Sequence, residues 1–142
     1  MYSKPFIMDE LKTTHTNFQI FFSFNNNITM LMGDSGIGKT VIYTMIQEAS
    51  VEDDRIVCFN YLDANKNVEE QIRKCQRKLI VIDNADSLLD DEIKKYIAFD
   101  GNNQYLIIGR NPKNLMITED NLFKLKSEYD GKYMIFTMKD YF

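Results

Sequence analysis

The stretch Gly33-Asp34-Ser35-Gly36-Ile37-Gly38-Lys39-Thr40 decides how this chain reads. It follows an apolar run, Ile28-Thr29-Met30-Leu31-Met32, and precedes Val41-Ile42-Tyr43-Thr44-Met45-Ile46. The order is buried strand, glycine-rich turn, helix. That is the context in which the pattern G-x-x-x-x-G-K-[ST] carries weight. Glycines let successive backbone N–H groups point into one concavity. A helix starting near Lys39 adds its own unpaired N–H groups and the positive end of its dipole. Such a turn is built for an anion. The plainer reading, a surface turn with an exposed lysine, leaves the flanking periodicity unexplained.

The chain has 142 residues, 44% hydrophobic and 27% charged. This suits one globular domain with a real core. A formal charge of −4 argues against a strongly attracting nucleic-acid surface. The apolar runs are short and interrupted, so no membrane span is expected. Cys58 and Cys75 lack metal-ligand spacing, and His15 is the one histidine. A structural zinc site is not expected, and the cysteine usage suits a reducing compartment, the cytoplasm.

Residues 1–17 read as an N-terminal arm, with Phe6-Ile7-Met8 a short strand or a packing segment and 13–17 a polar loop. Residues 18–24, rich in aromatics, read as a strand. Asn25-Asn26-Asn27 is a plausible turn, which makes 18–24 and 28–32 an antiparallel hairpin. A helix is expected over 39–49, packing through Val41, Ile42, Met45 and Ile46. A strand over 55–61 follows, then a helix beginning within 63–67 with Val68, Ile72 and Cys75 on its face. Its end carries Arg73, Lys74, Arg77 and Lys78, where the macrodipole favours cations. Leu79-Ile80-Val81-Ile82 has the continuous aliphatic character of a parallel strand covered on both faces, and Asp83 closes it. A helix within 88–99 has Asp86 as its expected N-cap. A strand over 104–108 leads to Gly109-Arg110. Residues 122–126 and 133–138 form a second hairpin around Asp130-Gly131. The domain layout is an arm over 1–17, a core over 18–110 and a hairpin over 120–139.

The glycine-rich turn and the Asp83 strand together resemble the P-loop NTPases, and within them the ABC-type and AAA-type (ASCE) division. The resemblance implies a three-layer α/β sandwich with a mostly parallel sheet, the 104–108 strand lying between the 28–32 and 79–83 strands. It implies ATP or ADP with Mg²⁺ as cofactors, GTP being the alternative. Gly33, Asp34, Ser35, Gly36, Ile37, Gly38, Lys39 and Thr40 would form the Walker A cradle. Lys39 would reach the β- and γ-phosphates, and Thr40 and Asp83 would hold the metal. Asp83-Asn84-Ala85-Asp86-Ser87-Leu88-Leu89-Asp90 resembles a Walker B strand end and the loop after it.

Departures from the family pattern bear on catalysis. Hydrolytic members place a Glu after the Walker B Asp; here Asn84 stands there, and an amide is a poor proton acceptor. Asp86 and Arg110 are the remaining candidates for handling water and the γ-phosphate. The ABC signature segment, the switch histidine and the helical lid are absent from the sequence. The expected activity is Mg-dependent nucleotide binding with slow or partner-dependent hydrolysis. The alternatives are an inactive interaction protein on the same scaffold and a nucleic-acid-associated ATPase served by Lys74, Arg77 and Lys78. A protein partner, or nucleotide-dependent self-association, would complete the site. Phe22 or Phe24 is a candidate base-stacking surface, with the core as the competing place for each.

Overall fold

Leu79–Ile82 (β5) and Gln104–Gly109 (β6) are buried at every residue. Such strands need a covering layer on each face, which is the arrangement of an α/β sheet. The computed structural model describes residues 4–33, 37–63 and 67–142, except the side chains of Ile37 and Tyr61. Around β5 and β6 lie Glu10–His15 (β1), Phe18–Ser23 (β2), Ile28–Met32 (β3), Ile56–Phe59 (β4), Leu122–Tyr129 (β7) and Met134–Asp140 (β8). They form an eight-stranded sheet in the order β1-β2-β8-β7-β3-β6-β5-β4. The pairings β2–β8, β7–β3, β3–β6, β6–β5 and β5–β4 are parallel; β1–β2 and β7–β8 are antiparallel hairpins. The sheet is thus mostly parallel, with antiparallel hairpins formed near both ends of the chain.

Alternation along each strand divides the core in two. Leu79, Val81 and Leu106 face Ile42, Met45 and Ile46 of the helix Ile37–Glu52 (α1). Ile80, Ile82, Tyr105 and Ile107 face the other layer. That layer contains Val68–Lys74 (α2), Ala85–Leu88 (α3) and Asp91–Phe99 (α4), whose Ile72, Ala85, Ile93 and Ile97 are buried. Helix α2 starts at Asn67, whose side chain accepts from the Glu70 N–H, and carries Glu69–Arg73 and Lys74–Glu70 pairs one turn apart. Exposed pairs of this kind add only a few tenths of a kcal/mol each, about 0.3–0.5. Among the described residues, no helix is long and apolar enough to cross a membrane.

Several local expectations are corrected. Strands 18–24 and 28–32 do not form a hairpin: β2 lies between β1 and β8, while β3 lies between β7 and β6. The hairpin partner of β2 is β1, drawn from the segment expected to be a loop, with Thr16 turning at φ 49. Its pairing runs from Glu10 opposite Ser23 to His15 opposite Phe18. The helix expected within 88–99 is α4, preceded by the short α3, and its N-cap is not Asp86 but Asp90, which accepts from the Ile93 N–H at 2.9 Å. Phe22 and Phe24 are both in the core, so neither offers a face to a base. Of the two readings for Phe6 to Met8, the packed segment is the one found.

What holds that segment is a layer of buried amides at the N-terminal edge of the sheet. The Gln104 side chain accepts from the N–H groups of Ile7 and Met8, both at 2.9 Å, and donates to the Met8 carbonyl at 3.0 Å. Asn27 accepts from the Phe6 N–H and donates to the Asn103 carbonyl. Asn103 accepts from the Lys78 N–H and donates to Cys75 and Asp100. Asn26 donates to the Asp120 carbonyl. Asn26 and Asn27 therefore serve as buried anchors, not as the tip of a hairpin. Buried polar groups persist only when paired, so removing one partner strands the others. Gln104→Leu keeps the volume and leaves three backbone groups of the N-terminal segment without partners. It is expected to lower stability by about 2–4 kcal/mol, read as a reduced urea midpoint at unchanged slope.

Candidate functional site

Parallel strands with helices between them bring their C-terminal ends to one edge, where open α/β sheets bind ligands. At this edge lie Gly33 after β3, Asn60 after β4, Asp83 after β5 and Arg110 after β6. β6 sits between β3 and β5, so the glycine-rich turn and Asp83 flank the end of β6.

Gly33 adopts φ 127, a conformation open to glycine and strained for other residues. Asp34, Ser35 and Gly36 lie outside the described residues. Ile37 begins α1. A Cβ on Gly38 would stand 2.8 Å from the Leu125 side chain, with the Phe136 ring 3.6 Å away, so a side chain there requires Leu125 to move. The Lys39 ammonium reaches back and donates to the Gly33 carbonyl. Thr40 is exposed in the first turn of α1.

Asp83 is half-buried, and its Oδ1 accepts from the Asn84 N–H at 2.9 Å. Burial pushes its carboxyl above the ordinary carboxylate value; the Asn84 N–H and the Lys39 charge act in the opposite direction. Lys39 and Asp83 thus belong to one electrostatic neighbourhood, although neither is close to the other in sequence. Asn84 is exposed and left-handed at φ 53, and its side chain makes no capping bond to α3.

Asp86 lies in α3 and does not cap the longer helix α4, whose N-cap is Asp90. Its carboxylate accepts from the Arg110 N–H at 2.9 Å and the Asn111 N–H at 3.1 Å. It ties α3 to the loop after β6 and so positions the Arg110 backbone. Gly109 makes this approach feasible: a Cβ there would stand 3.1 Å from Asp86 Oδ1 and 3.3 Å from the Ala85 methyl. Arg110 itself is exposed. The linkage joins residues far apart in the chain, so no local pattern announces it.

Of the two expected metal ligands, Thr40 is exposed in the first turn of α1 and Asp83 is half-buried at the end of β5. The described residues contain no cluster of three or more His, Cys, Asp or Glu that could hold a metal ion. The cysteines add no site chemistry: burial pushes the Cys58 thiol up to about 12, and Cys75 also moves up with burial. Of the basic residues at and beyond the end of α2, Arg73 lies 4.7 Å from the Tyr96 ring centre, Lys74 pairs with Glu70, and Lys78 donates to the Asp54 carbonyl.

At the opposite edge a cleft of 430 Å³ is lined by Phe6, Ile28, Phe99, Met116 and Ile117, among others. Its one titratable group, Asp100, is committed to Asn102, Asn103 and Tyr105. Reactive groups gather instead at the C-terminal edge. No protein-family model matches the chain, and no curated protein matches it in sequence.

A carboxyl whose pKa is raised on folding binds its proton more tightly in the folded state than in the unfolded one. Stability is then highest in acid and falls as pH rises from the ordinary carboxylate range through the raised value. Asp83→Asn is therefore expected to raise Tm at neutral pH in EDTA. The gain should shrink to nothing as pH falls below the ordinary carboxylate range. Thermal unfolding of both proteins across that range checks it.

Proposed function

We propose that the chain binds the phosphates of a nucleoside triphosphate, ATP by default, together with Mg²⁺, at the C-terminal edge of β3, β6 and β5. One observation carries the reading. The complete motif runs from the end of β3 into α1, its Lys39 points back across Gly33, and the Lys39 charge is felt by Asp83 at the end of β5. The intervening position of β6 is also the strand order expected of this division of P-loop proteins.

In this reading the α1 N-terminus and Lys39 bind phosphate oxygens, and Thr40 and Asp83 hold the metal directly or through water. Mg²⁺ would neutralise charge on the β- and γ-phosphates. Turnover needs a water aligned with the γ-phosphate, and the candidates for holding it are few. Asn84 can orient water but is a poor acceptor for its proton. Asp86 already receives two backbone N–H groups. Slow hydrolysis, or hydrolysis completed by a residue from a partner or a second copy of the chain, follows from these two facts.

The same two residues favour a second reading, in which nucleotide is bound without turnover and the protein acts through its interactions. Fold alone does not separate the two.

Calorimetric titration of ATP and ADP with Mg²⁺, paired with phosphate-release measurements, tests both. Binding to the wild-type chain is expected, with Lys39→Ala weakening it by about tenfold or more. Phosphate release abolished by Lys39→Ala supports the ATPase, and tight binding without release supports the interaction protein. Absence of binding at millimolar ATP and Mg²⁺ overturns the proposal. Measuring particle size with and without Mg-ATP shows whether a second copy completes the site.

A further inference from the structure

Strands β1, β2, β8 and β7 stand side by side at one end of the sheet and have two unlike faces. On one face Leu11, Ile20, Phe22 and Phe136 join the core under α1. The other helical layer takes its strand residues from β3 to β6 and the start of β7, and none from β1, β2 or β8. The alternate residues of these four strands therefore point outward. Among them Lys12, Lys124, Lys126 and Lys139 are exposed, against Glu10 and Glu128. The chain has a formal charge of −4, so this face is segregated in charge from the rest of the molecule.

The strand registers set these side chains in rows. Lys12 lies opposite Phe21, and Thr137 lies opposite Lys126. Between them β2 and β8 run parallel with Gln19 beside Ile135, so the next outward positions are Phe21 and Thr137. The row reads cation, aromatic ring, hydroxyl, cation across about 14 Å. In the row beyond it, Lys139 lies directly opposite Lys124. Like charges so placed destabilise a sheet, and neither lysine makes an ion pair among the described residues. Lys12 with Glu10 at 3.5 Å and Lys126 with Glu128 at 3.0 Å are exposed pairs of little strength. Phe21 is 39% exposed, and the Lys12 ammonium stands 4.5 Å from its ring centre, so the ring offers its face to a group arriving from solvent.

We propose that the outward face of β1, β2, β8 and β7 binds single-stranded nucleic acid, its lysines on the phosphates and a base stacked on Phe21. Phosphates supply the negative charge that the Lys124–Lys139 pair lacks. The base takes the place of the Lys12 ammonium over the ring and frees that cation for a phosphate. An open aromatic face set among cations suits an unpaired base, whereas a duplex keeps its bases stacked on one another. Contacts of this kind tolerate any sequence. The inference does not depend on the phosphate-binding reading of the C-terminal edge, and it uses none of the cations at the end of α2.

The test is fluorescence anisotropy of a short labelled oligothymidylate, titrated with the full chain at several salt concentrations in EDTA without nucleotide. Binding is expected, with log affinity falling against log salt at a slope of about −2 to −3, as for three or four phosphate contacts. Lys139→Glu is expected to weaken binding about tenfold or more and to flatten the slope by about 0.7. The same variant turns a like-charge pair into an opposite one, so its Tm without oligonucleotide should equal or exceed that of the wild-type chain. Phe21→Leu keeps apolar bulk and removes the ring, and should weaken binding about tenfold at unchanged slope. Lys74→Glu should leave the affinity as it is. No binding at about 50 mM salt, where such contacts are strong, would overturn the proposal. So would full affinity in Lys139→Glu or Phe21→Leu, a lowered Tm in Lys139→Glu, or loss of binding in Lys74→Glu. Tighter binding of a duplex, or uptake by phosphatidylserine vesicles in place of the oligonucleotide, would overturn it in favour of another partner.

Discussion

Every residue of β5 and β6 is shut off from water, so neither strand can sit at an edge or on a half-solvated face. Both must lie inside the sheet with a helical layer on either side. The chain meets this by leaving and re-entering the sheet in parallel, α1 covering one face and α2, α3 and α4 the other. Parallel re-entry has a geometric result. The ends of β3, β4, β5 and β6 emerge together, and residues more than seventy positions apart in the chain become neighbours. The location of the candidate site thus follows from how the centre of the sheet is buried.

The two edges of the sheet solve opposite problems. At the N-terminal edge, Asn27, Asn103 and Gln104 satisfy backbone groups of the arm and the loops, and their hydrogen bonds close within the fold. At the C-terminal edge the protein carries electrostatic cost, a half-buried carboxylate at the end of β5. Local disagreement of this kind, inside a fold that is otherwise consistent, is where function is sought.

The central strands were legible in the sequence because burial on both faces leaves an uninterrupted apolar run, as in Leu79 to Ile82. The strand before the glycine-rich stretch and the helix after it were legible because residue type and spacing agree on either side of it. The first hairpin was not. Glu10 to His15 is an edge strand with one buried residue, so its polar side chains look like a loop until β2 is beside them. Asn25 to Asn27 matched a turn by composition, whereas two of the three are anchors whose partners, Asn103 and Asp120, lie in distant segments. Asp86 matched a helix cap by position, yet Arg110 and Asn111 claim it across the sheet. Tyr43 was visible only as one residue of an apolar run. That its hydroxyl finds no partner among the described residues is a property of what surrounds the oxygen, and no linear pattern encodes that.

The contact beneath Gly38 bears on how far the binding unit extends. Leu125 and Phe136, from the hairpin of β7 and β8, form the wall on which the first turn of α1 rests. That hairpin also brings β2 into the sheet through β8 and meets β3 through β7. A shortened chain stopping at Gly109 would keep every residue of the motif together with Asp83, and would still lack the surface that seats the helix carrying Lys39. The portable module, for grafting or minimisation, is therefore the motif together with a hairpin more than eighty residues downstream, a boundary drawn by packing and not by the conserved-looking pattern of glycines.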